Sequence, residues 1–277
     1  MPELPEVETI VRDLAPRLTG RSLRNPRLHK PDVLRGVSRD RLLRVLRNAV
    51  VRAVVRRAKH VVLELKTGER LVIQPRMTGS LLVLDRPLRA DDRRYAVLDA
   101  AIGGGARFVF RDVRRLGTIH LLDERAWKSY TERIGPEPLE DAFTLAVFRR
   151  CLRGSRQAIK KVLMDQRKIA GVGNIYANEA LFRARVDPSR PAGVVDRDAA
   201  ARLHRAVRKV LRDAVRAQGT TVRDYRTGTG QRGRYQFALH VYGRGDEPCT
   251  RCGTRLTTTH AIDGRATTFC WRCQGGR

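Results

Sequence analysis

Nine residues at the amino terminus, Met1-Pro2-Glu3-Leu4-Pro5-Glu6-Val7-Glu8-Thr9, group several reactive side chains around one backbone nitrogen. Removal of Met1 leaves a secondary amine beside carboxylates at a helix start. An α-amino group titrates near 8 against about 10.4 for lysine, so at pH 7 roughly a tenth of it is a free nucleophile. A secondary amine that attacks a sugar aldehyde carbon forms an iminium ion, a positive electron sink that needs no proton to stay charged. Glu3 and Glu6 would handle protons in such a reaction. The same string also has a purely structural reading: Pro5 suits a first helical turn, and Glu3, Glu6 and Glu8 complement the helix dipole.

A second chemical signal closes the chain. Cys249-x2-Cys252-x17-Cys270-x2-Cys273 has zinc-ribbon spacing, four thiolates able to surround a tetrahedral ion at about 2.3 Å each. Four sulfurs leave no position for a reactive water, so the expected zinc is structural, one ion per chain. Arg255, His260 and Arg265 lie between the two cysteine pairs. A hairpin of this size would hold an arginine, Arg265, rigidly against a phosphate. Alternatively, the ribbon only caps its domain or binds protein. A third stretch, Ala170-Gly171-Val172-Gly173-Asn174-Ile175-Tyr176-Ala177, places small residues before a helix whose first backbone N–H groups could take a phosphate. A plain turn between helices has the same pattern.

Composition points to the partner. Lysine and arginine number 57 against 29 acidic residues, a net charge of +28 spread along all 277 residues, which calls for a polyanion. No apolar run approaches the roughly 20 residues of a membrane span, and the acidic terminus does not resemble a signal peptide. A cytosolic protein is expected, and in that reducing compartment clustered cysteines mean metal more often than disulfides.

The elements that must position these groups follow from periodicity. Val7, Ile10, Val11, Leu14 and Leu18 keep helical spacing from Pro5 to a stop at Gly20. A short helix is expected over 38–47. Strands are expected over 50–55, 60–65, 70–73, 80–84, 95–101, 107–110 and 118–122, with turns at Thr67-Gly68 and Gly103-Gly104-Gly105, the pattern of an antiparallel sandwich. Ile134-Gly135-Pro136-Glu137-Pro138 reads as a connection between domains. Helices are expected over 143–152, 158–166, 174–183 and 198–218. In the last, Leu203, Ala206, Val207, Val210, Leu211, Ala214 and Val215 form an apolar stripe, with Arg202, Arg205, Arg208, Lys209, Arg212 and Arg216 on a solvated face. Residues 227–233, Thr-Gly-Thr-Gly-Gln-Arg-Gly, read as a mobile loop without regular structure.

The terminal string, the glycine-asparagine turn and the four cysteines resemble, in this order, the formamidopyrimidine-DNA glycosylases, a bacterial family that excises oxidised purines through a terminal proline. The resemblance runs over nearly the whole chain. It implies an α+β protein in which an amino-terminal helix and antiparallel β-sandwich (1–133) lead through a linker (134–142) to a helix-two-turn-helix domain (143–234) and a zinc-finger hairpin (235–277). It also implies a glycosylase with abasic-site lyase activity on double-stranded DNA, with no organic cofactor and the monomer as working unit. Pro2 and Glu3 would carry the chemistry, with Glu6 beside the DNA. Lys59, in Arg57-Ala58-Lys59-His60, would grip a phosphate near the amine. Lys160 and Asn174 would hold the phosphates flanking the lesion. Met77, in Met77-Thr78-Gly79-Ser80, and Arg115 and Leu116, in Arg111-Asp112-Val113-Arg114-Arg115-Leu116-Gly117, would fill the hole left by a flipped-out nucleotide. On periodicity alone Met77 and Leu116 are core candidates, and Lys59 is an ordinary exposed strand residue.

Three departures fall on the hole-filling loops. The family usually has phenylalanine at Leu116, proline at Val113, and His-Leu-Gly where this chain has Gln74-Pro75-Arg76. They bear on lesion and opposite-base preference. Two alternatives remain: an endonuclease VIII-like relative acting on oxidised pyrimidines, and a non-catalytic DNA-binding zinc protein.

Overall fold

The computed structural model describes residues 2–221 and 227–275. The chain divides into two units, Met1–Glu132 with Ala217–Gln236, and Arg133–Arg216 with Phe237–Arg277.

In the first unit, α1 (Leu4–Leu18) buries Leu4, Val7, Ile10, Val11, Leu14 and Leu18, the stripe expected from their spacing. It packs on β2, β3 and β5 of an eight-stranded antiparallel sheet. In chain order these elements are β1 (Ser22–Leu28), α2 (Arg39–Leu46), β2 (Ala49–Arg57), β3 (His60–Leu65), β4 (Arg70–Gln74), β5 (Gly79–Leu84), α3 (Ala90–Tyr95), β6 (Ala96–Gly103), β7 (Ala106–Asp112), β8 (Thr118–Leu122) and α4 (Glu124–Glu132). The strand order is β5-β7-β6-β1-β2-β3-β4-β8. The two four-stranded halves are hydrogen-bonded to each other through the short β1–β2 pairing, Ser22↔Val50 and Leu23↔Ala49. Residues from all eight strands, α1 and α2 share one hydrophobic core. The sheet therefore closes over itself as the expected sandwich.

Among the elements that escaped the periodicity reading, β1 and α4 have clear physical reasons. β1 contains Asn25-Pro26, a turn signature, yet the register with β6 shifts between Arg24 and Arg27, and this bulge accommodates Asn25 at φ 45 and the proline. α4 has no buried residue and hence no apolar stripe. Trp127 and Tyr130 attach it instead, with Arg70 stacked over the Trp127 ring at 5.4 Å.

The second unit contains α5 (Leu145–Leu152), α6 (Ile159–Met164), α7 (Asn174–Ala184) and α8 (Arg197–Arg216), then a hairpin of β9 (Thr257–Thr259) and β10 (Thr267–Phe269), and α9 (Trp271–Gln274). The α8 stripe is buried as expected. Its basic face is only partly solvated: Arg208 Nη1 donates to Glu140 O at 2.6 Å, Arg202 Nε donates to Ala184 O at 3.2 Å, and His204 Nε2 contacts Phe143 O at 2.7 Å. The stretch read as a connection is packed. Gly135 N–H donates to Gln166 O at 2.8 Å, Pro136 O accepts from Ala170 N–H at 3.0 Å, and Glu137 is buried.

Residues 217–236 sit with the first unit, although the helical domain was expected to run to 234. Within 227–233 there is no regular element, yet Gly230 N–H donates to Thr227 O at 2.9 Å and Thr229 N–H reaches Asp13 Oδ2 of α1 at 3.3 Å. No helix among the described residues is long and apolar enough to cross a membrane.

Candidate active site and nucleic-acid contacts

Pro2 and Glu3 are buried at the mouth of α1. Glu3 is the N-cap, and Glu3 and Glu6 form a capping box. Glu6 Oε2 accepts Glu3 N–H at 2.7 Å, while Oε1 accepts Thr220 N–H at 2.7 Å. With 1% of its surface exposed, Glu6 therefore anchors the residue beside the amine to a loop 214 positions away. Its expected place beside DNA becomes that of a support for Glu3.

Lys59 lies in the two-residue turn between β2 and β3, where Arg57 pairs with His60 and Ala58 takes φ 51. It is buried, which removes the exposed-strand reading. Arg56, unnoticed in the sequence, holds the turn near α1: Nε donates to Glu8 Oε2 at 2.9 Å and Nη1 to Ala58 O at 3.2 Å. On the other side His60 Nδ1 lies 3.1 Å from Arg57 O, and Tyr130 Oη lies 3.0 Å from His60 Nε2. Burial pushes the His60 pKa down to about 4. A neutral ring fits this network, its Nδ1–H donating to the carbonyl and its Nε2 accepting from the phenol.

Met77 and Leu116 are 47% and 44% exposed, so neither belongs to the core. Both sit on tight connections, Met77 between β4 and β5, Leu116 between β7 and β8. Gly79 closes the first, donating to Pro75 O at 3.0 Å, and a Cβ there would lie 2.2 Å from that oxygen. Arg115 takes φ 51 and pairs with Asp32 Oδ2 at 3.3 Å.

In the second unit, the residues expected to meet phosphate converge on the β9–β10 connection. Lys160 Nζ donates to Thr267 Oγ1 at 2.7 Å and pairs with Asp263 Oδ1 at 3.2 Å. Asn174 Nδ2 donates to Ala266 O at 3.1 Å, and Arg265 N–H donates to Asp263 Oδ1 at 3.1 Å. Arg265 itself is exposed, whereas Lys160 is 0% exposed. Here Lys160 anchors the loop that displays Arg265. Gln166 braces the glycine turn, its Oε1 accepting Gly171 N–H and its Nε2 donating to Val172 O, each at 2.8 Å.

The four cysteine sulfurs all lie within 4.8 Å of one another, Cys252 and Cys270 at 3.5 Å and Cys249 and Cys273 at 4.0 Å. A tetrahedral ion about 2.3 Å from each sulfur requires edges of about 3.8 Å, so the cluster fits one. Hydrogen bonds with Thr254 hold the Cys252 thiol down at about 6, while burial pushes Cys273 up to about 12. Four thiolates this close are tenable only around a cation. Glu179, also unnoticed in the sequence, fastens the approach to the finger: its carboxylate accepts the N–H groups of His240, Val241 and Tyr242 at 2.8 to 2.9 Å.

Family models for the formamidopyrimidine-DNA glycosylase N-terminal domain and H2TH domain match residues 1–119 and 134–226. The Chloroflexus aggregans formamidopyrimidine-DNA glycosylase is 43% identical over 276 residues, covering 99% of this chain and 98% of that protein. This chain belongs to the formamidopyrimidine-DNA glycosylase family. Among solved structures, a Lactococcus lactis Fpg variant bound to Fapy-dG-containing DNA superposes with TM-score 0.90 at 30% identity, over 99% of this chain and 100% of that one. The Lactococcus lactis Fpg bound to abasic-site DNA gives 0.89 at 30% identity with the same coverage. Membership makes the chain a base-excision DNA glycosylase, an enzyme whose partner is DNA.

Within the family pattern, the departures now have places. Arg76 stands at φ 56, a left-handed conformation that glycine adopts freely and that costs other residues roughly 1–2 kcal/mol. Leu116 and Val113 are both exposed, so neither lies in the core.

Proposed function

We propose that this glycosylase removes oxidised purines such as 8-oxoguanine and formamidopyrimidines from double-stranded DNA and then cleaves the abasic strand, with Pro2 as nucleophile. The observation that carries this reading is Pro2 and Glu3 buried at the start of α1, within the span that matches the family's N-terminal domain. After loss of Met1, the Pro2 nitrogen attacks C1′ of the flipped nucleotide, Glu3 assists proton transfer, and the base departs with the glycosidic electron pair. The C1′–O4′ bond then breaks with a proton passing to O4′, and the open-chain iminium that results acidifies the C2′ hydrogen. β-Elimination expels the 3′ phosphate, δ-elimination the 5′ phosphate, and a one-nucleotide gap remains.

Lys59 and Arg265 serve as phosphate contacts at the reacting nucleotide, and Asn174, with Lys160 behind the hairpin, serves the flanking backbone. Met77, Arg115 and Leu116 fill the vacated stack. Cys249, Cys252, Cys270 and Cys273 would hold one Zn2+, whose chemistry is structural: a closed sulfur shell that fixes the hairpin. Functionally the chain falls into a catalytic domain over 1–133, a helix-two-turn-helix domain over 143–234 and the finger over 235–277, acting as a monomer in the reducing bacterial cytoplasm where DNA and free thiols coexist.

Borohydride reduction on abasic duplex DNA tests the reading. A covalent adduct mapping to residue 2, much reduced in Pro2→Gly, is expected. An adduct on Lys59, or Pro2→Gly trapped at the wild-type level, would require another mechanism, and no adduct at all would favour a DNA-binding protein without this chemistry.

A further inference from the structure

The loops bearing Met77 and Arg115-Leu116 belong to different strand connections, and nothing in the covalent chain makes them move together. One buried carboxylate joins them. Asp112, the last residue of β7 and 2% exposed, accepts Thr78 Oγ1–H at 2.5 Å and Arg114 N–H at 3.3 Å on Oδ1, and Gly117 N–H at 2.7 Å on Oδ2. Arg114 N–H also reaches Thr78 Oγ1 at 3.1 Å, and Arg114 Nη2 lies 2.8 Å from Met77 Sδ. The fit at Gly117 is close: a Cβ there would meet the Phe110 ring at 2.7 Å and Asp112 Oδ2 at 3.1 Å. Because Gly79 pairs with Asp112 across β5 and β7, the carboxylate lies at the root of both loops.

Hydrogen bonds to a buried carboxylate are stronger than neutral ones, and removing one leaves charge undersatisfied, so a disturbance in either loop is felt at the shared acceptor. We propose that Asp112 and Thr78 are positioning residues that couple the two loops, so that Met77 and Arg115-Leu116 enter the base stack as one body and Arg115 is aimed at the base opposite the lesion. The role of the loops on DNA rests on the glycosylase reading above. The coupling is a property of the free protein.

Thr78→Val keeps the side-chain shape and removes the hydroxyl. In the free variant, amide exchange at Gly117, in the loop that carries no substitution, should accelerate at least about tenfold, with β6 core amides as the reference for global opening, and Thr78→Ser should restore it. On lesion duplexes Thr78→Val should draw the excision rates for different opposite bases at least about threefold closer together. Trapping on single-stranded abasic DNA, where there is no stack to fill, should keep its wild-type level. Unchanged Gly117 exchange overturns the coupling whatever the DNA assays give. Faster exchange with an unchanged opposite-base ratio overturns the positioning role. If the wild-type protein traps no abasic DNA, the glycosylase reading fails while the exchange experiment still decides the coupling.

Discussion

The amino-terminal site and the four-cysteine hairpin both hold a few charged groups still, by opposite means. Pro2 and Glu3 stand on a helix whose apolar face enters a core drawn from α1, α2 and eight strands. There one carboxylate, Glu6, accepts both the Glu3 and the Thr220 N–H and so ties the residue beside the amine to a distant loop. The hairpin rests on a small cluster, Phe182, Val241, Cys249, Leu256 and Cys270, with Cys252 and Cys273 packed against it. So little apolar surface does not by itself offset the ordering of the finger, which leaves its rigidity to the hydrogen bonds that anchor the hairpin and to an ion that its four cysteines could hold. A site on a large core can be tuned by hydrogen bonds, whereas a site on a small one stands or falls with its ligand.

The contrast breaks if the hairpin survives without metal. Chelation should abolish exchange protection over β9 and β10 and weaken DNA binding by at least about a hundredfold, consistent with the roughly 10 kcal/mol or more that structural zinc contributes in small domains. The β6 and β7 amides should keep their protection. Retained protection in the chelated hairpin would mean that the small cluster folds unaided.

Next in size is Glu6→Ala, which strips the acceptor from two buried N–H groups at about 1–3 kcal/mol each. Urea unfolding should show a loss of about 4 kcal/mol, with borohydride trapping slowed in the folded protein. A loss under about 1 kcal/mol would mean that the core alone positions Glu3.

His60 probes the Lys59 turn through pH. Its folded pKa of about 4 lies below the ordinary 6.5, so the unfolded chain binds the proton more tightly between these values. Stability should be full above pH 6.5 and fall by roughly 3 kcal/mol as pH drops toward 4. His60→Gln should flatten much of that slope in melts across the window, and an unaltered slope would place the acid sensitivity elsewhere.

Leu116→Phe should have the smallest effect on the free protein, within about 0.5 kcal/mol, because the residue lies outside the core at 44% exposure. A ring can stack where leucine offers only apolar contact, so binding to lesion duplexes should tighten while trapping on already unstacked abasic DNA stays level. A melting loss of about 1–3 kcal/mol without tighter binding would reveal overpacking and remove the residue from the wedge.

The candidate residues for chemistry and the main elements were legible because their signals are short. Pro2-Glu3, the paired Cys-x2-Cys spacings and the α8 stripe each depend on neighbours within a few positions, and the strands from β2 to β8 followed from alternation bounded by turns. β1 was hidden by Asn25-Pro26, whose turn signal is absorbed by a bulge that exists only once β6 pairs beside it. α4 was hidden because it is attached by rings rather than by an apolar stripe.

What tertiary structure alone decided is the partner that each buried polar group takes. Glu6 meets Thr220 across 214 positions, Lys160 meets Thr267 across 107, and Asp112 serves two loops at once. No local pattern marks such pairs, because a buried carboxylate or ammonium must be satisfied by whatever donor or acceptor packing brings within about 3 Å. The sequence determined which groups could react and which could bind a metal ion. The packing of strands and helices determined that Glu6 and Lys160 act as supports, while Met77, Leu116 and Arg265 remain exposed.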